Sequence, residues 1–475
     1  MLTALHLFAL LPVILVAATA LVVMLGIAWR RHHAATAIAT AAGLVLALLS
    51  LPLVWPLAPL ETPLLVIDGL ALFTAGLILI SAMACTSLAH AYLEGFSGPR
   101  EEFYLLLLCA ATGGMVLAAS RHLATLFLGL ELLSMPLYGM LAYTFHERRS
   151  LEAGIKYLVS SAAATAFLLF GMALLYAQSG RLDLAGLALS FADPGVWSLA
   201  GSALIVVGLG FKLSIVPFHL WTPDVYEGGP SPAVLLLTTA SKVAVFVVLL
   251  RLVLAVPAFQ GLGGVLAVLA LVSMLAGNLL ALAQRNLKRL LGYSSIAHFG
   301  YLLVAPALAG GVALETGLVY LVTYLLATLG AFGVVTLMSA RGEEAALLHE
   351  YRGLFWRRPL LAGVLGICLL SLAGIPLTVG FIGKFYLIAL GVEAGRWWLV
   401  GGIVLGSVIG LYYYLRVLIV LFLAEPGMPR HTPAEEGVRH TGVTVGALAI
   451  LVLLLGVYPS PLIDSVKWVI ELSLL

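Results

Sequence analysis

Apolar stretches of 18 residues or more recur from one end of this 475-residue chain to the other. Inside hydrocarbon only a helix or a closed barrel can satisfy its own backbone groups. The period-two alternation of a membrane barrel is missing, so each stretch predicts a helix and the chain reads as an all-α polytopic membrane protein. Composition agrees. Hydrophobic residues make up 62% of the chain and charged residues 10%, against about 25% charged in a soluble domain. A surface so poor in charge has to face the lipid bilayer, and a net charge of +2 gives no sign of a nucleic-acid partner.

Fourteen segments are expected, near 4–29, 35–57, 66–92, 103–119, 122–145, 152–178, 199–220, 230–256, 262–283, 288–310, 313–340, 359–390, 398–424 and 441–461. The longest connections, 341–358 and 425–440, leave no room for a water-soluble domain. The first run lacks a basic region before it and is too long for a signal peptide, so it reads as a retained helix. Lys and Arg concentrate on one side of this arrangement, 14 against 5. The richer side, with Arg30, Arg31, Arg100, Arg148, Arg149, Arg285, Lys288, Arg289, Arg341, Arg352, Arg357, Arg358, Arg430 and Arg439, is expected in the cytoplasm. The poorer side holds Arg121, Arg181, Arg251, Arg396 and Lys467, and both termini fall there, in the periplasm.

A weak internal repeat is present. Tyr157-Leu158-Val159 with Ala164-Thr165 matches Tyr320-Leu321-Val322 with Ala327-Thr328 at the same spacing. Five segments separate the copies, so the second enters from the opposite face. That is an inverted repeat, with broken helices seven and twelve and an ion site expected at the midplane. The expected organisation is three N-terminal helices in 1–102, a first five-helix repeat in 103–256 and a second, inverted one in 262–424. A C-terminal helix and tail follow in 441–475.

With the charges near the loops set aside, a few ionisable residues remain within the expected spans: Glu131, Lys156, Lys212, Lys242, Lys384 and Arg416. Each costs roughly 2.5–3.5 kcal/mol at a helix centre. Two readings compete. The charges either pair off to lock helices together or line an ion path, and Lys156 and Arg416, nearer the span ends, could simply snorkel. Pro217 follows Lys212 by five residues, and Gly374-Ile375-Pro376 precedes Lys384. A proline beside a buried lysine, twice, points to helices broken at a polar cavity. Lysine suits proton transfer because desolvation favours the neutral amine and a nearby carboxylate favours the ammonium. Glu131 with Lys212 therefore makes a candidate switch, and Lys242 is the next acceptor. His219 and His298 are candidate relays, although an isolated histidine in a helix is more often a hydrogen-bonded structural residue.

Cys85, Cys109 and Cys368 are too few and too scattered for an iron–sulfur cluster or a disulfide framework. There is no phosphate loop, no HExxH and no Cys/His ligand set, so no metal or cofactor is expected in this chain.

Three stretches carry a family resemblance: GLGFKLSIVPFHLWTPDVY from Gly208 to Tyr226, NLKRLLGYSSIAHFGY from Asn286 to Tyr301, and LAGIPLTVGFIGKFY from Leu372 to Tyr386. They resemble the proton-conducting antiporter-like subunits of respiratory complex I and of the related multisubunit sodium/proton antiporters. The resemblance runs over essentially the whole chain. Lys384 stands where the M-type subunit has a glutamate, and the chain stops short of the long lateral helix of the L-type subunit. The resemblance implies a glutamate–lysine pair, a central lysine and an exit lysine, which fall on Glu131, Lys212, Lys242 and Lys384. It also implies partners: an M-type subunit, small hydrophobic subunits, and further subunits carrying FMN, iron–sulfur clusters and quinone for NADH oxidation. The rivals are a subunit of a cation/proton antiporter, a symporter with a roomy polar cavity, and a purely structural membrane subunit.

Overall fold

A computed structural model describes residues 4–191, 195–339, 344–424 and 436–473. The expected loop charges Arg341 and Arg430 lie outside the described residues. The described residues are helical almost throughout, with one two-stranded antiparallel ribbon among them that pairs Leu60 with Ile67. The main helices are α1 (Leu11–Trp29), α2 (His33–Val54), α3 (Gly69–Leu93), α4 (Glu102–Ala118), α5 (Leu123–Leu141) and α6 (Arg148–Ser179). Next come α7 (Val196–Leu213), α8 (Trp221–Gly228), α9 (Ser231–Leu236), α10 (Lys242–Ala255), α11 (Gly263–Leu282) and α12 (Leu287–Leu302). The series ends with α13 (Gly311–Met338), α14 (Pro359–Ala373), α15 (Val379–Glu393), α16 (Trp397–Phe422), α17 (Glu436–Val457) and α18 (Ser460–Glu471).

Among the described residues, 11 helical stretches are long and apolar enough to cross a membrane, or 12 if the pair Gly442–Val457 and Ser460–Glu471, bent by 85°, counts as one. Helices lie on all the expected segments. The expected total is reached only if α4, α14 and α17 are counted as crossings, two of them being short apolar helices. Ser231–Ala255 and Val312–Met338 are buried along their whole apolar length and form the centre, whereas Leu11–Trp29 and Trp397–Phe422 show most of theirs. Helices apolar on every side must sit inside protein or lipid, and these central two also carry the polar residues.

Two expected spans are broken, and the breaks begin before the prolines. Helix α7 ends at Ser214 and α14 at Gly374, both in the left-handed conformation (φ 63 and 85). Glycine takes that conformation freely and serine does not. In both turns the following isoleucine closes the cap, Ile215 N–H on Gly210 O at 2.9 Å and Ile375 N–H on Leu370 O at 3.0 Å. The backbone freed beyond the caps is satisfied by serines: Val216 N–H donates to Ser273 Oγ at 3.0 Å and Gly380 N–H to Ser371 Oγ at 3.1 Å. A third irregularity, a π-helical turn over Leu237–Ser241, ends directly at Lys242. The expected single span 359–390 is thus two half-helices, and the expected C-terminal tail is helix α18.

Two residues counted as loop charges are buried. Arg251 donates from both terminal nitrogens to Asp68 at 2.9 Å, with the pair 3% and 0% exposed. Asp68 also caps α3 by accepting from Ala71 N–H at 2.9 Å. Lys288 donates to Glu344 at 2.7 Å and to Gly229 O at 2.6 Å. Glu344 also accepts from the hydroxyls of Tyr92 and Ser231, both at 2.6 Å. Burial works against a charged Glu344, but Lys288 and these hydroxyls outweigh it and hold its pKa below the ordinary carboxylate value. Taking one residue from each side leaves the expected charge bias unchanged. Breaking one partner out of a buried pair costs on the order of 3–5 kcal/mol, because the other charge is left bare. Asp68→Leu is therefore expected to lower the Tm of the purified protein markedly, and adding Arg251→Leu should recover most of the loss. An unchanged Tm in the single variant would contradict a structural role for this pair.

Candidate functional site

The first polar cluster sits where α5, α6 and α7 meet. Glu131, Ser134 and Tyr138 recur at i, i+3 and i+7 on α5, so they share a face. Tyr157, Ser161 and Thr165 recur at i, i+4 and i+8 on α6. Lys212, in the last turn of α7 and 3% exposed, donates to Ser134 Oγ at 2.5 Å and Ser161 Oγ at 2.6 Å. Ser161 also meets Tyr138 OH at 2.7 Å. The ammonium lies 5.4 Å from the Tyr157 ring and 5.9 Å from that of Tyr138, within cation–π range. Glu131 accepts from Thr165 Oγ1 at 2.9 Å. The expected Glu131–Lys212 pair is thus not a direct ion pair among the described residues. Each partner is held by hydroxyls on the same two facing stripes.

The second cluster begins at the break in α7. The turn at Ser214 leaves the carbonyl of Leu213 without a helical donor. Lys242, fully buried, reaches it at 3.5 Å and donates to Ser295 Oγ at 2.8 Å. Its ammonium is 4.8 Å from the Phe299 ring. From Ser295 the hydrogen bonds run to Tyr324 OH at 2.8 Å and on to Thr238 Oγ1, in the π-turn, at 2.9 Å. One turn further along α12, His298 bonds Tyr320 OH through Nδ1 at 2.8 Å and Tyr414 OH through Nε2 at 3.2 Å. Tyr414 is in turn hydrogen-bonded to Ser294. The His298 and Tyr324 rings are 5.5 Å apart.

Lys384 repeats the arrangement of Lys242. It donates to the carbonyl of Ala373, the last residue of α14, at 2.7 Å. His298, Tyr320, Tyr324, Ser371 and Lys384 line one narrow cavity. Both lysines therefore sit at the carbonyl end of a broken helix, where the peptide dipoles favour positive charge. The symmetry between the breaks is incomplete: Lys212 lies before its break and Lys384 after.

The remaining candidates are placed differently. His219 lies in the turn between α7 and α8, 9% exposed, and its Nδ1 has no partner among the described residues. It is not joined to the hydrogen-bonded row. Lys156 has an exposed side chain, paired with Glu152 and Asp224 at 2.8 Å each. Arg416 caps α11, donating to Leu282 O at 2.7 Å and Gln284 O at 2.6 Å. Ser134, Ser161, Tyr320, Tyr324 and Tyr414 were not among the site residues expected from the sequence. For the first four the signal is the four-residue spacing of hydroxyls, in which Ser161 and Tyr324 occupy the same place in the two matching motifs, whereas Tyr414 carries no such signal.

Residues 120–410 match the membrane-domain family described as NADH:quinone oxidoreductase/Mrp antiporter. The chain belongs to that family. Among the family's members, a protein of Chromohalobacter salexigens called NADH-quinone oxidoreductase subunit N is 64% identical over 471 residues, covering 98% of this chain and 99% of the relative. A chain in the structure of respiratory complex I from Thermus thermophilus is 36% identical, with a TM-score of 0.83, covering 95% of this chain and 98% of that one. A chain of the Mrp complex from Dietzia sp. has a TM-score of 0.86 at 21% identity and shares the fold.

Tyr324 accepts or donates at Ser295 beside Lys242 while its ring lines the His298 cavity, and Tyr324→Phe removes its hydroxyl alone. The variant is expected to lose a large part of proton pumping in membrane vesicles while the chain still assembles. Full pumping would show that the row does not run through this hydroxyl.

Proposed function

We infer that the chain is the proton-translocating membrane subunit N of a bacterial NADH:quinone oxidoreductase. It moves protons from cytoplasm to periplasm while quinone is reduced in partner subunits. The observation that carries this reading is the buried row of three lysines, each bonded to neutral oxygens instead of carboxylates. An ammonium held by hydroxyls and carbonyls can give up its proton without leaving a bare carboxylate behind, which an ion pair cannot. Lysines also repel sodium, which favours proton transfer over a cation/proton antiporter. The identity to proteins called subunit N points the same way.

In this reading Glu131 biases the charge of Lys212 across the shared serine face. Lys242 is the central acceptor, His298 passes protons through its two tyrosine partners, and Lys384 releases them. His219, at the break of α7, would serve as a relay only through water. The two halves, 103–256 and 262–424, act as inverted five-helix repeats behind three helices in 1–102, with 441–475 closing the chain. Read as fourteen crossings with the Arg-rich loops in the cytoplasm, the chain has both termini in the periplasm of a bacterial inner membrane. FMN, iron–sulfur clusters and quinone belong to partner subunits, which include an M-type subunit and small hydrophobic subunits.

Because Glu131 and Lys212 share one network, their effects should not add. Glu131→Gln and Lys212→Ala are each expected to depress quinone-linked pumping strongly, with electron transfer to an artificial acceptor upstream of quinone near normal. The double variant should be little worse than the worse single. Losses that multiply in the double, or normal pumping in either single, would remove the switch from the mechanism.

A further inference from the structure

Helices α2, α3 and α17 form a seam on the outside of the bundle. At one end of that seam the chain covers itself. Helix α18 turns back at 85°. It stacks Trp468 on Trp55 with ring centres 4.5 Å apart. Its C-terminal turn binds the start of α3, Gly69 N–H on Leu472 O and Leu70 N–H on Ser473 Oγ, both at 3.0 Å. At the other end the same three helices part and leave an open groove of about 810 Å³. Its walls include Ala37, Ile38, Ala84 and Leu451, and it runs along α3 from Ile80 to Glu94.

Its length decides what fits. From Ile80 to Glu94 the groove extends ~21 Å at about 1.5 Å per residue. Half of a hydrocarbon core ~30 Å thick is about 15 Å. The groove therefore spans one leaflet and its headgroup region, and a partner helix crossing the whole bilayer would meet α18 at the far end. The open end is polar. His90 Nε2 lies 3.8 Å from Glu94, the His33 ring lies tilted against that of His90 with ring centres 4.5 Å apart, and His90 Nδ1 is buried without a hydrogen-bond partner among the described residues. A donor imidazole beside a carboxylate matches a headgroup that carries a phosphate and an ammonium together.

We propose that this groove is a binding site for one zwitterionic aminophospholipid, of the leaflet on the side of Arg31 and Arg100. Its acyl chain lies along Ala37, Ala84 and Leu451, its phosphate meets His90 and its ammonium meets Glu94. The site is separate from the lysine row and does not depend on the proton reading. The test is lipid analysis of the intact, detergent-purified membrane assembly. Wild type is expected to retain one more phosphatidylethanolamine per assembly than Ala84→Phe, which fills the groove floor. Glu94→Gln should bind phosphatidylethanolamine and phosphatidylglycerol equally where wild type prefers the former. A photoreactive benzophenone side chain at Ile38, on the groove wall, should crosslink to lipid, and this remains decisive if Ala84→Phe fails to assemble. Equal lipid content in wild type and an assembled Ala84→Phe variant would overturn the proposal. So would crosslinking of Ile38 to protein, whether a partner subunit or another segment of this chain.

Discussion

An ammonium ion inside a bilayer must be given oxygen atoms, and the architecture of this chain follows from where those oxygens come from. An intact helix has none to spare, because every interior carbonyl already accepts from its own backbone. The chain frees them by stopping α7 at Ser214 and α14 at Gly374. Leu213 and Ala373, the last residues before the stops, then present carbonyls to Lys242 and Lys384. Serines pick up the backbone N–H groups that the breaks expose, so the polar interior closes on itself.

The buried charges fall into two chemical kinds. Asp68 with Arg251, and Glu344 with Lys288, are ion pairs that tie distant helices together, and Arg416 caps α11. A proton taken from any of these would leave an uncompensated charge or an open helix end, so they are fixed. Lys212, Lys242 and Lys384 instead bind Ser134, Ser161, Ser295 and the backbone carbonyls of Leu213 and Ala373. Neutral oxygens tolerate either protonation state of a lysine. The difference between partner types, more than depth alone, separates the residues that hold the fold from those we propose to carry protons.

Much of this was legible in the sequence, and for physical reasons. Hydrocarbon leaves few options, so helix, approximate span and the oddity of a buried lysine all follow from composition and run length. The spacing of Tyr157 and Thr165 against Tyr320 and Thr328 is the sequence ground for the proposed repeat. What was hidden depended on pairing across the sequence. Arg251 looked like a loop residue because its partner, Asp68, is 183 positions away. The break in α7 was attributed to Pro217, whereas the stop is the left-handed Ser214, which no propensity would have chosen. Helix α18 was passed over as a tail because its fit rests on Trp55 and the start of α3 rather than on its own hydrophobicity.

In the proposed mechanism protons cross within this chain through a row of lysines whose charge can be lost. The most direct measurement is the proton-to-electron ratio in sealed membrane vesicles for Lys242→Arg and Lys242→Met. Arginine keeps the cation but hardly deprotonates, and methionine keeps the length without the charge. The account predicts that the ratio falls in both, with arginine retaining more, while NADH oxidation through quinone continues. A wild-type ratio in the methionine variant would contradict it.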